Sequence, residues 1–210
     1  ANLKKKMLYF CSMVEENLTQ ALYALEKHDQ EIARGVFEKE KRIDEYEIEI
    51  EEDCLKILAL HQPVASDLRF IIATLKINND LERIDDMAVH IVERLLSIPL
   101  KLEGMSYFSR LNDCAIQVRK MLKSGLDSLV NLDANLAREI EEKDSEVDHF
   151  HQSFFEEMKN ALKRDPEKAD IWLNLLFISK QLERIADHTT NIAEDVIYLI
   201  EGRIVRHSDK

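Results

Sequence analysis

The sequence predicts an all-α fold of six long helices that form two tandem, repeated three-helix bundles. Only four Gly and three Pro interrupt the 210 residues, which favours long helices over strands and turns. No segment alternates strictly between apolar and polar residues, as a half-buried strand would. Two segments about a hundred residues apart, LERIDDMAVHIVE at 81–93 and LERIADHTTNIAE at 182–194, repeat nearly the same pattern.

Capping and helix-breaking residues divide the chain into these helices. The predicted helices span about 3–27, 30–61, 65–98, 107–131, 134–163 and 166–201. Asp29, Asp133 and Asp165 stand where an N-cap residue is needed. Gly202 follows the last helix, in the position that a C-terminal glycine commonly occupies.

The repeat also defines two halves. The tetrapeptide LERI occurs at 81–84 and again at 182–185, and an acidic pair in the preceding helix recurs at nearly the same offset. The longest irregular stretch, 99–106, lies between them and contains one of the few glycines. We therefore predict a first three-helix domain over residues 1–103 and a second over residues 104–210.

Charge and composition exclude several classes of function. The chain has 41 acidic and 29 basic residues, a net charge of −12, which disfavours nucleic acid and anionic lipid as partners. No uncharged apolar stretch is long enough to insert into a membrane, and no signal peptide is evident. Three widely spaced cysteines without CxxC spacing favour a reduced, cytoplasmic setting. The chain does not begin with Met, so a trimmed or excised sequence stays open.

Four pairs of acidic residues stand four positions apart on predicted helices, so each pair shares one helix face. The pairs are Glu40/Asp44, Glu82/Asp86, Asp144/Asp148 and Glu183/Asp187. Antiparallel packing would gather four carboxylates in each half, and such a group requires a positive partner to stay ionised. Oxygen-only ligands suit hard divalent or trivalent cations such as Mg, Mn, Ca or ferric iron, whereas zinc normally takes His or Cys. The pattern predicts a metal site in each half.

Other interpretations of the acidic rows stay open. Arg83 and Arg184 lie beside them and could pair with the acids, or the rows could receive a basic partner protein. A ferritin-like metal-dependent oxidase would need two Glu-x-x-His motifs, and only Glu146/His149 has that spacing. The sequence has no nucleophile motif and no nucleotide-binding loop, so we predict that the protein is not an enzyme.

The stretch CLKILALHQPVASDLRFIIATLKINNDLERIDDMAVHI, from Cys54 to Ile91, resembles the signature region of the PhoU family. The stretch from Gln181 to His207 resembles that family's C-terminal helix, so the resemblance covers essentially the whole chain. It implies two three-helix bundles and, in some members, multinuclear iron or zinc clusters on Glu/Asp-x-x-x-Asp motifs. Those motifs match the four acidic pairs named above.

The resemblance also implies a regulatory function. It predicts a cytoplasmic accessory protein of phosphate uptake that links a phosphate ABC transporter, through its ATPase subunit, to a sensor histidine kinase. Such a protein represses the phosphate-starvation response when phosphate is plentiful, and it often forms a homodimer. The alternative that the resemblance leaves open is a cytoplasmic PhoU-like domain of a sodium–phosphate cotransporter.

The first repeat departs from the family pattern. Where the family commonly has Leu-Glu-Arg-Ile-Gly-Asp-His, this repeat has Asp85 for Gly and Met87 for His. Asp85 either enlarges the first metal site or faces water. The second repeat keeps Asp187 and His188, so we expect its metal site to be the better formed.

Overall fold

The structure is a computed structural model that describes residues 2–99 and 106–205. Within these ranges it contains no strand, which confirms the predicted all-α class. The helices are α1 (Asn2–Lys27), α2 (Gln30–His61), α3 (Ala65–Leu96), α4 (Ser106–Asn131), α5 (Ala134–Arg164) and α6 (Ala169–Glu201). The predicted boundary between residues 103 and 104 lies outside the described residues and stays a prediction.

The α1–α2 and α4–α5 connections are built in the same way. The carboxylates of Asp29 and Asp133 each accept hydrogen bonds from the backbone N–H groups two and three residues ahead. These bonds satisfy donors that the first helical turn would otherwise leave unpaired. The preceding residues, His28 and Leu132, both have a left-handed backbone with φ of 52°. The internal repeat therefore extends to the turn geometry.

The start of α6 differs from the prediction. Pro166–Lys168 forms a 3-10 turn, and α6 begins only at Ala169. The Asp165 carboxylate caps no backbone amide; instead Lys168 Nζ donates to its Oδ2 at 2.6 Å. Trp172 Nε1 donates to the Asp165 carbonyl at 3.1 Å. The ion pair with Lys168 thus holds the carboxylate that the sequence had predicted as an N-cap.

Each trio of helices packs as a bundle, and the two bundles also pack on each other. Within the halves, α1, α2 and α3 contact one another, as do α4, α5 and α6. Between the halves, α3 packs along α6 and α1 packs against α4. The buried side chains of both halves form one continuous hydrophobic core. The tandem bundles are therefore halves of one packed body.

The α3–α6 interface has an approximate two-fold relationship. Lys76 Nζ donates to Asp195 Oδ1 at 3.0 Å, and the Arg94 guanidinium lies 4.4 Å from the centre of the Phe177 ring. Phe177 occupies in the second half the position that Lys76 occupies in the first, and Asp195 the position of Arg94. The two contacts are therefore equivalent by the repeat, although one is an ion pair and the other a cation–π contact.

Throughout the described ranges, each helix falls short of the uncharged apolar length that crossing a lipid bilayer would require.

Candidate metal centre

In the second half, α5 and α6 turn their acidic faces toward each other. Asp148, Glu183 and Asp187 each offer one carboxylate oxygen, and these oxygens lie within 4.8 Å of one another. Asp148 and Glu183 are half-buried, and Asp187 is exposed. Oxygens at this separation can bind one cation at bond lengths of about 2.3–2.6 Å.

Asp144 lies one turn before Asp148 on α5 and belongs to the same group. Its Oδ1 atom is buried and has no hydrogen-bond partner among the described residues. Burial, followed by the charges of Asp187, Asp148 and Glu183, raises the pKa of Asp144 to about 6. A buried carboxylate oxygen without a partner is costly unless a proton or a cation supplies the missing contact. Asp144 therefore lies close enough to Asp148, Glu183 and Asp187 for the charges to repel one another.

One lysine compensates part of the negative charge of the second cluster. Lys180 Nζ lies 2.5 Å from Glu183 Oε2 on the same helix face. Arg184 forms no ion pair within the described parts of the chain, so it does not neutralise the cluster. Although Asp187 is exposed as a residue, partial desolvation of its carboxylate beside the other acids, then the charges of Glu183 and Asp148, raise its pKa. The carboxylates repel one another, and the donor set fits a hard cation.

His151 lies at the edge of this cluster, three residues after Asp148. Its Nδ1 atom is 2.8 Å from Ser179 Oγ on α6. Burial lowers the pKa of His151, which favours the neutral imidazole. The sequence places His151 on the same face as Asp148, but its pairing with Ser179 depends on the packing of α5 against α6.

The first half gathers its predicted acids less tightly. Burial, then the charges of Asp44 and Asp86, raise the pKa of Glu40. Burial and then Asp86 raise the pKa values of Asp44 and Glu82, so all four acids lie close enough to repel one another. Nevertheless, no three Asp, Glu, His or Cys side chains of residues 2–99 bring ligand atoms within 4.8 Å of one another.

Arg83 explains part of this difference. Its Nη1 atom lies 3.2 Å from Asp86 Oδ2, and its Nε atom lies 3.3 Å from Glu82 Oε2. Two of the four predicted ligands in the first half therefore already share a cation. In this half, the structure agrees with the interpretation that an arginine pairs with the acids.

Glu47 also belongs to the first cluster, although the sequence did not single it out. Burial, then Glu51 and Asp44, raise its pKa. Asn78 Nδ2 donates to Glu47 Oε1 at 3.1 Å and to the Glu47 carbonyl at 3.0 Å. Glu47 follows Asp44 by three residues, so helical spacing was a signal that could have identified it.

Asp85 does not face water, so that expectation for it was wrong, whereas a role in enlarging the first metal site stays a prediction. It is only 2% exposed, and its Oδ1 atom accepts a hydrogen bond from Asn17 Nδ2 of α1 at 2.7 Å. Burial raises the pKa of Asp85 to about 7, against the opposing effect of that hydrogen bond. One residue along a helix rotates the side chain by about 100°, so Asp85 points to α1 while Asp86 stays with the acidic cluster.

The Glu-x-x-His motif considered for a ferritin-like oxidase lies elsewhere. Glu146 and His149 are both exposed on α5. His149 Nδ1 is 2.6 Å from the Ser145 carbonyl of its own helix. The motif therefore contributes nothing to the cluster formed by Asp144, Asp148 and their partners on α6.

Comparisons with known proteins agree with this architecture. The model of the PhoU domain matches the chain twice, over residues 9–95 and 111–196. Two similar proteins are each named as a phosphate-specific transport system accessory protein PhoU homolog. The one from Pseudomonas aeruginosa is 35% identical over 206 residues, which cover 98% of this chain and 85% of the relative. The one from Clostridium acetobutylicum is 35% identical over 211 residues, which cover 99% of this chain and 94% of the relative.

Solved structures give the same result. The crystal structure of PhoU from Pseudomonas aeruginosa matches with a TM-score of 0.92 and 35% identity, over 96% of this chain and 97% of that chain. The crystal structure of the phosphate transport system regulatory protein PhoU from Streptococcus pneumoniae matches with a TM-score of 0.88 and 30% identity, over 97% of this chain and 96% of that chain. Family model, sequence identity and fold coincide over both halves, and this chain belongs to the PhoU family.

Proposed function

We propose that the protein is a regulatory accessory protein of a phosphate transport system. The observation that carries this proposal is the identity of about one third with accessory proteins of phosphate-specific transport, over nearly the whole length of both chains. The protein would act in the cytoplasm as a homodimer, in contact with the ATPase subunit of a phosphate transporter and with a sensor histidine kinase. In this role it represses the phosphate-starvation response while phosphate is abundant.

The negative charge of the molecule supports the proposal that these partners dock through basic surfaces. A net charge of −12 steers positively charged surfaces toward the protein and discriminates against acidic ones. The internal repeat provides two related acidic faces, one on each bundle. We propose that the transporter subunit and the kinase each dock on one of them.

Metal ions would adjust the charge of these faces. In the second half, Asp144, Asp148, Glu183 and Asp187 would hold the ion; in the first half, Glu40, Asp44, Glu82 and Asp86 would do so. The ion supplies the positive charge that the clustered carboxylates lack. Iron or zinc follows from the family resemblance, while Mg, Mn and Ca fit the all-oxygen donor set.

We rank the second site above the first. Carboxylate oxygens of Asp148, Glu183 and Asp187 lie within 4.8 Å of one another there, and the Oδ1 atom of Asp144 has no hydrogen-bond partner among the described residues. In the first half, Arg83 already pairs with Glu82 and Asp86. A metal ion there has to compete with a guanidinium that pairs with two of the four ligands, whereas Lys180 pairs with one ligand in the second half, so we expect lower occupancy in the first half.

Elemental analysis of protein purified without added metal tests the site. The double substitution Glu183→Ala with Asp187→Ala should lower the metal content per chain and leave the helix content measured by circular dichroism nearly unchanged. The matched control is Glu142→Ala with Glu146→Ala, two exposed acids four positions apart on α5 and outside the cluster. Equal metal content in the two variants would remove the proposed site.

A reporter of phosphate starvation tests the regulatory role. Expression of this chain in bacteria that lack their own PhoU should restore repression of the reporter in phosphate-rich medium. The cluster variant should restore it less well than the Glu142/Glu146 control. If neither variant nor the unaltered chain represses the reporter, and none co-purifies with the transporter ATPase, the regulatory proposal fails even where the metal is bound.

A further inference from the structure

A cavity of about 380 Å³ lies where the two halves of the molecule meet. Its walls come from four helices, with Met7 on α1, Phe70 on α3, Leu129 on α4 and Leu199 on α6. Nine of its twelve lining side chains are apolar, and none is acidic. The cavity is therefore separate in position and in chemistry from the carboxylate clusters described above.

The size and shape of this cavity are those of a site for a small ligand. A concave and mostly apolar surface with a few polar groups at one end is the usual form of a ligand-binding pocket. Ala73 and Ile77 on its walls are each only 1% exposed, whereas Leu132 at its rim is 49% exposed. The cavity is therefore an apolar cleft with a closely packed floor and an open mouth, and pockets for small ligands are commonly concave and mostly apolar.

One positive charge stands at the mouth. Lys4 is the charged residue among the lining side chains, and it forms no ion pair with any described residue. Its neighbour Lys6, by contrast, lies 2.7 Å from the Asp53 carboxylate and is neutralised by it. The other two polar lining residues, Ser66 and Thr74, carry hydroxyl groups that can donate hydrogen bonds. The polar end of the cavity therefore suits an anionic group.

We propose that this cavity binds a free fatty acid, with the alkyl chain in the apolar body and the carboxylate beside Lys4. Burial of the chain provides most of the binding free energy, because it removes apolar surface from water on both ligand and protein. The single cation at the mouth selects a carboxylate over an amine or an alcohol.

Titration calorimetry with three probes of equal chain length tests the proposal. Decanoate and decylamine are added to the whole protein below their critical micelle concentrations, and decanol below its solubility limit. Decanoate should bind in a one-to-one complex, and about tenfold more tightly than decylamine, a ratio that one favourable charge contact replaced by a repulsive one provides. Absence of decanoate binding, or tighter binding of decylamine, overturns the proposal.

Variants of the cavity localise the binding. Ala73→Leu fills the apolar body, and Ser66→Trp covers the mouth from an exposed position that does not disturb the core. Both should abolish decanoate binding, and Ser66→Trp keeps the test valid if Ala73→Leu fails to fold. Unchanged binding in Ser66→Trp would mean that the ligand lies elsewhere, which overturns the assignment.

The charge is tested by a matched pair of substitutions on α1. Lys4→Glu reverses the charge at the mouth, and Lys5→Glu makes the same change on an exposed neighbour that does not line the cavity. Decanoate affinity should fall by about tenfold in Lys4→Glu and stay within about twofold of the wild type in Lys5→Glu. Equal affinities in the two variants overturn the placement of the carboxylate beside Lys4.

Discussion

His188 Nδ1 lies 2.7 Å from Asp80 Oδ1, so the helix that carries the second acidic cluster is joined to the first half of the molecule. Asp80 is 5% exposed, and its Oδ1 atom also accepts a hydrogen bond from Asn191 Nδ2 at 3.3 Å. His188 directly follows Asp187 in the sequence. The position of α6 at the candidate metal centre is therefore fixed partly by a side chain of α3.

Loss of the Asp80 carboxylate should destabilise the contact between the halves. Asp80→Ala leaves His188 and Asn191 without their shared acceptor, and we expect a loss of about 1–3 kcal/mol in the free energy of unfolding. Urea denaturation measures it, with Asp113→Ala, an exposed acid on α4, as the control. If the two variants unfold at the same urea concentration, the Asp80–His188 contact contributes nothing to stability.

The buried carboxyl of Asp85 should give the protein an inverse dependence of stability on pH. Its pKa is raised from 3.8 in the unfolded chain to about 7 in the fold. Between these values the folded protein binds more protons, so the free energy of unfolding falls as the pH rises from about 4 to about 7. Above pH 7 the contribution no longer changes.

The substitution Asp85→Asn tests this dependence. It should remove part of the slope between pH 5 and pH 8 and make the protein more stable than wild type at pH 8, by about 1–3 kcal/mol. Denaturation is measured at both pH values in the presence of a chelator. Asp113→Asn serves as the exposed control. A wild-type slope in the Asp85→Asn variant would contradict the burial argument.

Asp144→Asn should have opposite effects with and without metal. Burial and three neighbouring carboxylates raise the pKa of Asp144 to about 6, so at pH 8 its charge opposes folding in the absence of a cation. The amide should therefore raise the melting temperature in a chelator. At saturating metal, the rise in melting temperature that metal binding causes should be smaller for Asp144→Asn than for the wild type, because one ligand has been weakened.

Thermal unfolding of both proteins, in chelator and at a series of metal concentrations, measures the two effects of Asp144→Asn. Glu142→Gln, an exposed acid of the same helix, is the control and should respond to metal as the wild type does. A variant whose melting temperature rises with metal as steeply as that of the wild type would exclude Asp144 from the site.

Two glycines should respond in opposite directions to replacement by alanine. Gly202 ends α6 with φ of 71°, and a Cβ atom there would lie 3.1 Å from Arg69 Nη1. Gly35 lies within α2, and a Cβ atom there would meet nothing within 4 Å. We expect Gly202→Ala to destabilise the protein by about 1 kcal/mol and Gly35→Ala to stabilise it by about 0.5–1 kcal/mol. Urea denaturation of both variants measures this, and the same sign for both would contradict it.

Most of the fold could be predicted because its signals are local. Asp29 and Asp133 each lie next to the amides that they cap, and Gly202 directly follows the helix that it ends. Asp165 stands at the predicted N-cap position before Pro166, but its carboxylate pairs with Lys168, three residues away, and caps no amide. Local chemistry therefore determines helix ends only when no nearby charge competes.

The candidate site was less predictable, because it depends on how helices rotate against each other. Sequence spacing shows that Glu183 and Asp187 share one helix face, but it does not show that they approach Asp148 on α5. It left open whether Arg83 pairs with Asp86, and it does not reveal that Asp80 reaches His188 across the two halves. These contacts join residues on separate helices or follow from a side-chain rotamer, which sequence spacing leaves undetermined.

The approximate two-fold relationship between α3 and α6 has a bearing on how this molecule arose. A surface that packs on its own repeat is the kind that a symmetric dimer uses. Duplication and fusion of a gene for one three-helix ancestor would produce this arrangement, with the ancestral subunit contact converted into an internal one. Lys76–Asp195 and Arg94–Phe177 would then be descendants of a single pair that occurred twice, free to diverge once the two copies were encoded separately.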